Sequence, residues 1–236
     1  MSTVWKVVDD KDSRIEYSGQ WTSVTGDTKL SDGSDTLDGL SRSGSVFGNT
    51  VHGTRTNGTG VTFRFNGTSL AAVYASVAFD SFVGQGDQVV MIDCFLDGKE
   101  ATGSGYIPSS VPRPINNQPA CSVYADSYKG TLSPGEHELS LNVTRISNAS
   151  FYVDYVVYEA LADAPIDGEI LRIGDGQMNM RSSPDPHLSF GAGWETGNGG
   201  MVSTVTPGSS VTVRFNGPSL LFNRGKGTRI HSFVLF

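Results

Sequence analysis

Three carboxylates within four positions, Asp9, Asp10 and Asp12, form the densest set of candidate ligands in the chain. Side by side they repel unless water solvates them, a turn uses them as caps, or a cation neutralises them. Calcium, which takes about six to eight oxygen ligands with carboxylates among them, is a cation of the right chemistry. Asp154 is the second unusual carboxylate. It lies between Val153 and Tyr155 in a run that is apolar on both faces, Phe151-Tyr-Val-Asp-Tyr155. A charge buried there needs a partner. Backbone amides could supply it as well as a cation, with Asp9 to Asp12 then forming a plain turn.

Other chemistry is sparse. His52, His137, His187 and His231 are scattered without metal-ligand spacing. His137, at the entry to a strand, reads as a surface residue. No Gly-x-Ser-x-Gly elbow, phosphate loop, His-Glu-x-x-His or paired-Cys motif occurs. A Ser/His/Asp set forms in space rather than in sequence, so a hydrolase stays open as a third reading, but the chain reads as a non-enzyme. Sugar binding needs an aromatic ring against the apolar face of a pyranose, beside polar groups that orient its hydroxyls. Phe47, Phe79, Phe82, Tyr106 and Tyr128 read as loop aromatics, and Phe79, Phe82 and Tyr106 are the chosen candidates. Tyr106 falls in the stretch Gly103 to Pro119, stiffened by Pro108, Pro112, Pro114 and Pro119. A stiff loop lowers the entropy cost of holding a site; its other reading is a rigid connector.

Cys94 and Cys121 make one possible pair. A bridge would be worth roughly 3.5 kcal/mol by loop entropy, the alternative being two buried thiols. Asn57, Asn66, Asn142 and Asn148 each begin a glycosylation acceptor pattern. Four together favour a secreted, extracellular or cell-surface protein. Met1 to Asp12 shows no signal-peptide pattern, so a secreted origin would imply a chain incomplete at its N-terminus.

The whole composition fits such a surface. The 236 residues carry a net charge of -7, and only 17% are charged. The acidic balance, with no Lys/Arg run, argues against nucleic acid or an anionic membrane as partner. No window holds the roughly 18 consecutive apolar residues of a membrane helix.

The elements that must position these residues are strands. Val4 to Val8, Arg14 to Tyr17, Val61 to Phe65, Ser69 to Phe79, Val89 to Leu96, His137 to Val143 and Phe151 to Tyr158 are apolar or alternate with a period of two. Asn66-Gly67 reads as a turn, and Asp97-Gly98 as a hairpin. No segment shows three turns of helical periodicity. The fold class is all-β, a sandwich or barrel.

The chain also repeats itself. Asp12 to Trp21 aligns without gaps to Asp185 to Trp194, and Val61 to Leu70 aligns to Val211 to Leu220. Trp21 recurs as Trp194, which marks it as a core anchor rather than a ligand platform. The first copy spans 4–160, a linker 161–168, and an incomplete second copy 169–236. The tail from Asn223 departs from the first copy and reads as foreign to the domain.

Val8 to Tyr17 with Trp21, Thr50-Val-His-Gly53, Phe65-Asn-Gly-Thr68, Leu132 to Leu139 and Phe151 to Tyr155 resemble the extracellular part of a large group of proteins of mushroom-forming fungi. Members typically carry a signal peptide, one or two such domains, a Ser/Thr-rich stalk and often one membrane helix. The resemblance implies a galactose-binding-domain-like jelly roll, similar in fold to many carbohydrate-binding modules. In modules of that fold a structural calcium commonly joins an acidic residue near the first strand to an Asp in the last, which would draw Asp9, Asp10 and Asp154 together. The expected function is a non-catalytic extracellular module that binds a glycan or presents a surface. The alternative is a purely structural or protein-interaction ectodomain without sugar affinity.

Overall fold

The computed structural model describes residues 4–30, 36–38, 45–80, 88–101, 105–108, 115–123, 133–174, 188–196, 202–214, 220–224 and 230–235. Among them there is no α-helix, and one 3-10 turn lies at Phe47–Asn49. The first copy contributes β1 (Val4–Asp9), β2 (Ile15–Ser18), β3 (Thr22–Thr25), β4 (Thr50–Thr54), β5 (Thr59–Phe79), β6 (Val89–Leu96), β7 (Lys99–Glu100), β8 (Gly105–Pro108), β9 (Ile115–Ser122), β10 (Gly135–Ser147) and β11 (Ala149–Ala160). The rest contributes β12 (Ile170–Gly174), β13 (Leu188–Phe190), β14 (Glu195–Thr196), β15 (Val202–Ser203), β16 (Val211–Val213), β17 (Leu220–Arg224) and β18 (Ile230–Leu235).

The architecture is an all-β, jelly-roll sandwich in which β5 belongs to both layers. Its first half pairs with β2 and β10, and β10 with β6. Its second half pairs with β9 and β11, and β11 with β1 and β4. A strand that switches sheets must bend at the corner, and it does so at Gly67. A Cβ there would stand 2.4 Å from the Glu159 carbonyl oxygen, so the close approach of β11 demands glycine. Asn66-Gly67 is thus a bend inside one 21-residue strand, not the turn expected from sequence.

Alternation fills the space between the layers. Val61, Phe63 and Phe65 face Leu141, Leu139 and His137 across the β5–β10 ladder, all buried, while Arg64 and Glu138 pair outside at 2.9 Å. Phe151, Val153 and Val156 close the core from the other layer, with Ile92, Cys94 and Leu96 at its end. Each such side chain contributes about 1.5–3 kcal/mol on burial. The second layer is apolar on its outer face too. Trp5, Val7, Leu70, Ala72, Tyr74, Tyr155 and Val157 form one patch with Phe47, and Val51 and Ala78 form another under Leu30 and Leu37. This two-sided burial explains why β11 reads as a continuous apolar run.

The repeat is reproduced in register. Ile15 faces Phe63 and Tyr17 faces Val61; at the aligned positions Leu188 faces Val213 and Phe190 faces Val211. Tyr17 and Trp21 stand 5.3 Å apart at 57°, and Phe190 and Trp194 stand 5.1 Å apart at 55°. The tail is placed in the same plan. The order β1–β11–β5 recurs as β12–β18–β17, so Ile230–Leu235 holds the position that β11 holds in the first copy. β12 also lies against β1, which makes the two copies one continuous sheet.

Candidate functional site

The acidic expectation comes together around the end of β1. Asp10 is fully buried. Its Oδ1 accepts the Thr50 hydroxyl at 2.8 Å, and its Oδ2 lies 2.7 Å from His52 Nδ1. Its amide donates to the Asp154 carbonyl at 3.0 Å, and its carbonyl accepts Tyr17 Oη at 2.9 Å. Tyr17 in turn stacks on His52 at 4.2 Å. Asp154, 1% exposed, accepts the Phe47 amide with Oδ1 and Oδ2 at 3.0 and 3.2 Å. Asp12 leaves the cluster to cap a turn and pair with Arg14 at 2.8 Å.

These carboxylates use their oxygens on protein donors. Asp9 Oδ1 is the exception, buried with no hydrogen-bond partner among the described residues. Among the described residues no three carboxylate, imidazole or thiolate groups are disposed to hold a metal ion. The donor set therefore does not fit the calcium implied by the resemblance.

Burial and mutual repulsion favour the protonated forms of these carboxyls. Burial, then the neighbouring Asp10 carboxylate, pushes Asp9 up to about 7. Burial also raises Asp10, and raises Asp154 well above the carboxylate range. A carboxyl raised in the folded state stabilises most below its unfolded pKa and loses that contribution as pH rises through the folded one. Asp12, lowered chiefly by Arg14, acts below this window. His52, lowered by burial, opposes it by losing stability as pH falls. In chelator, the melting temperature is expected to fall by about 3 °C from pH 5 to pH 8, after discounting Asp9 for its partial access to solvent. Asp9→Asn, which mimics the protonated form, should make that slope shallower, leaving the share of Asp10 and Asp154. A flat wild-type profile would contradict the assignment.

The sugar candidates land elsewhere than expected. Phe79, the last residue of β5, is 3% exposed and belongs to the core, so it offers no face to a ligand. It packs inward because β5 runs on to it and pairs it with Ala149. Phe82 and Tyr128 lie outside the described residues. Tyr106 sits in strand β8 opposite Met91 rather than in a loop. Phe47 is buried against Tyr155. His137, expected at the surface, is 7% exposed, with Nδ1 2.8 Å from Asp97 and Nε2 2.8 Å from the Ser133 carbonyl. Cys94 and Cys121 are joined in a disulfide, with Cα atoms 5.6 Å apart. Asn57, Asn66, Asn142 and Asn148 are all exposed, and Asn57 Oδ1 accepts the Ile146 amide at 2.6 Å.

Two cavities stand out. One of about 340 Å³, beside His137, is walled by Arg64, Asp97, Glu136 and Glu138, and its aromatic residue, Phe65, is buried. The other, of about 290 Å³, lies on the outer face of β3, β4 and β11. Gln20, Thr22, Arg55, Thr56 and Ser150 supply its polar atoms, and Tyr152 its ring. The strands dictate the ring's position. Tyr152 is paired across the ladder with Gly53, and a Cβ on Gly53 would meet Tyr152 Cδ1 and Cε1 at 2.7 Å. The ring thus rests on bare backbone, and its other support is the apolar patch of Val24, Val51 and Leu37. Thr56 donates to Gln20 Oε1 at 3.2 Å, and Arg55 donates to Ser150 Oγ at 2.9 Å.

Sequence reasoning missed Tyr152 because it sits inside the apolar run of β11. The available signal was phase: it alternates out of step with the buried Phe151 and Val153, and so points to the other face.

The sequence matches no protein-family model, and no curated protein matches it. Solved structures resemble the fold. The catalytic domain of Agl-KA is 12% identical at a TM-score of 0.38 over 68% of this chain and 28% of that one. The CBM36-1 domain of a multidomain xylanase from the hindgut metagenome of Trinervitermes trinervoides is 14% identical at 0.33, over 68% and 99%. An exo-beta-1,3-galactanase from Phanerochaete chrysosporium is 13% identical at 0.32, over 67% and 30%. The chain spans under a third of the first of these structures.

Proposed function

We propose that this chain is a non-catalytic, extracellular glycan-binding module of the kind borne by the fungal surface proteins it resembles. The observation that carries the reading is the Tyr152 groove. A ring held from below by a glycine, in a cavity otherwise lined by amide, hydroxyl and guanidinium groups, is the pairing of apolar platform and orienting donors that a pyranose requires. At about 290 Å³ the cavity sits at the small end of ligand sites, the size for one or two sugar rings. Extracellular placement rests on the disulfide and the four exposed acceptor asparagines.

Tyr152→Ala is expected to abolish binding to a glycan array while shifting the melting temperature by less than about 4 °C, since the ring is only partly buried. Gly53→Ala keeps the ring but displaces it, and should weaken binding at least tenfold. Signals flat over fungal and plant polysaccharides for the glycosylated wild type would favour the alternative, a structural or protein-interaction ectodomain. Calcium enters this reading only as a test at Asp9, Asp10 and Asp154: a melting temperature unchanged between calcium and chelator removes the ion.

A hydrolase has one observation in its favour. Asp10 is buried and orients His52, as in a catalytic pair, and Ser23 faces His52 across β3 and β4. Among the described residues no hydrogen bond joins Ser23 to His52, so the pair is read as structural. Hydrolysis of a chromogenic acetate ester, lost in His52→Ala, would reverse that reading.

A further inference from the structure

We propose that the Tyr152 groove selects uncharged sugars and rejects acidic ones, because Arg55, the cation in its wall, is already neutralised by Asp80. The inference rests on the glycan-binding reading above and adds the substrate class.

Among the described residues Arg55 is the only charged one that lines the cavity. Its guanidinium is engaged in a fork on Asp80, with Nη1 2.8 Å from Oδ1 and Nη2 donating to Oδ2. The same Nη1 also reaches Ser150. Bidentate pairing fixes the plane of the guanidinium and occupies the donors that would otherwise grip a carboxylate. A uronate entering the groove would have to displace Asp80, or lie beside it as a second negative charge. Coulomb repulsion between the two opposes binding wherever water is partly excluded. Among the described residues a cationic amino sugar finds no surplus carboxylate in the wall either, because Asp80 is engaged by Arg55. What remains is a neutral wall: the Gln20 amide, the Thr22 and Thr56 hydroxyls and the Tyr152 ring. These groups hydrogen-bond hydroxyls and stack on C–H faces without regard to charge.

The arrangement makes Asp80 the selectivity switch. Asp80→Asn keeps a side chain of nearly the same shape and releases one positive charge into the groove. The test is titration calorimetry of the whole chain with neutral oligosaccharides (gluco-, galacto- and xylo-oligomers and chitin oligomers), with oligogalacturonides, and with chitosan oligomers. Wild type should bind at least one neutral series, bind oligogalacturonides at least tenfold more weakly, and gain nothing on chitosan oligomers from their positive charge. Asp80→Asn should gain at least tenfold in oligogalacturonide affinity, and that gain should shrink at higher salt. Arg55→Gln in the same background should cancel it. Melting curves of each variant confirm that the fold is retained.

Wild type that binds oligogalacturonides as tightly as neutral oligomers overturns the inference and leaves glycan binding standing. So does an Asp80→Asn variant with unchanged preference. Neutral binding that survives Tyr152→Ala places the site elsewhere and overturns it as well. Silence from every oligosaccharide overturns the glycan-binding reading itself.

Discussion

Replacing Cys94 and Cys121 together by alanine is expected to lower the unfolding free energy by about 3 kcal/mol, or roughly 10 °C in melting temperature. The bridge does more than close a ring over the 27-position separation. Cys94 lies in β6, which pairs with β10, and Cys121 lies in β9, which pairs with the second half of β5. The disulfide therefore ties one layer of the sandwich to the other, where among the described strands β9 pairs with β5 alone. Both sulfurs are fully buried, so alanine leaves a small cavity but no stranded polar group, and the loss reads mainly the cross-link. Wild type in strong reductant should melt with the double variant. If reduced, oxidised and alanine forms melt together, the cross-link contributes nothing and the layers are held by packing alone.

What the sequence disclosed, and what it hid, divides along physical lines. Strands with one wet face were legible. β10 alternates because His137, Leu139, Leu141 and Val143 turn inward while Glu136 and Asn142 do not, and Asp97-Gly98 turns the β6–β7 hairpin with both residues at positive φ. The repeat was legible because the same ladder demands the same residues twice. Features that depend on distant strands were hidden. Nothing local distinguishes Asn66-Gly67 as a bend from a turn; the Glu159 carbonyl, 92 positions on, decides it. Tyr152 becomes a platform only because Gly53 lies beneath it, and Phe79 ceases to be one because β5 carries it into the core. The crowding of Asp9, Asp10 and Asp154 was legible, since charge set against apolar neighbours is visible locally. Its partners, Thr50 and His52 on β4 and the Phe47 amide in the 3-10 turn before it, are brought in by pairing that no single sequence displays.

A chain ended at Gly168 should be less stable than one ended at Gly174 by about 3–5 kcal/mol, although only six residues separate them. Sequence alone ends the first domain at 160 and reads 161–168 as a linker; within that stretch the Ala164 amide donates to the Leu161 carbonyl at 3.0 Å. The next residues nevertheless belong physically to the first layer. Glu169 lies 3.3 Å from both Lys6 and Arg14, and the Lys6 side chain is only 5% exposed. Removing Glu169 leaves that ammonium buried against the Pro165 carbonyl, 2.6 Å away, without its carboxylate partner. β12 then covers the edge of β1, pairing Ile170, Leu171 and Arg172 with Val7, Lys6 and Trp5. Arg172, 4% exposed, lays its guanidinium 5.1 Å from the centre of the Tyr74 ring, which itself stacks on Tyr155 at 4.6 Å. Loss of these residues opens an apolar patch and strips a strand edge at once. Urea unfolding of the two fragments measures the difference. Arg172→Ala in the longer fragment should recover part of it, because the backbone ladder and Glu169 remain. Equal midpoints for the two fragments would show that β12 adds nothing to the first unit and that the boundary lies at 168.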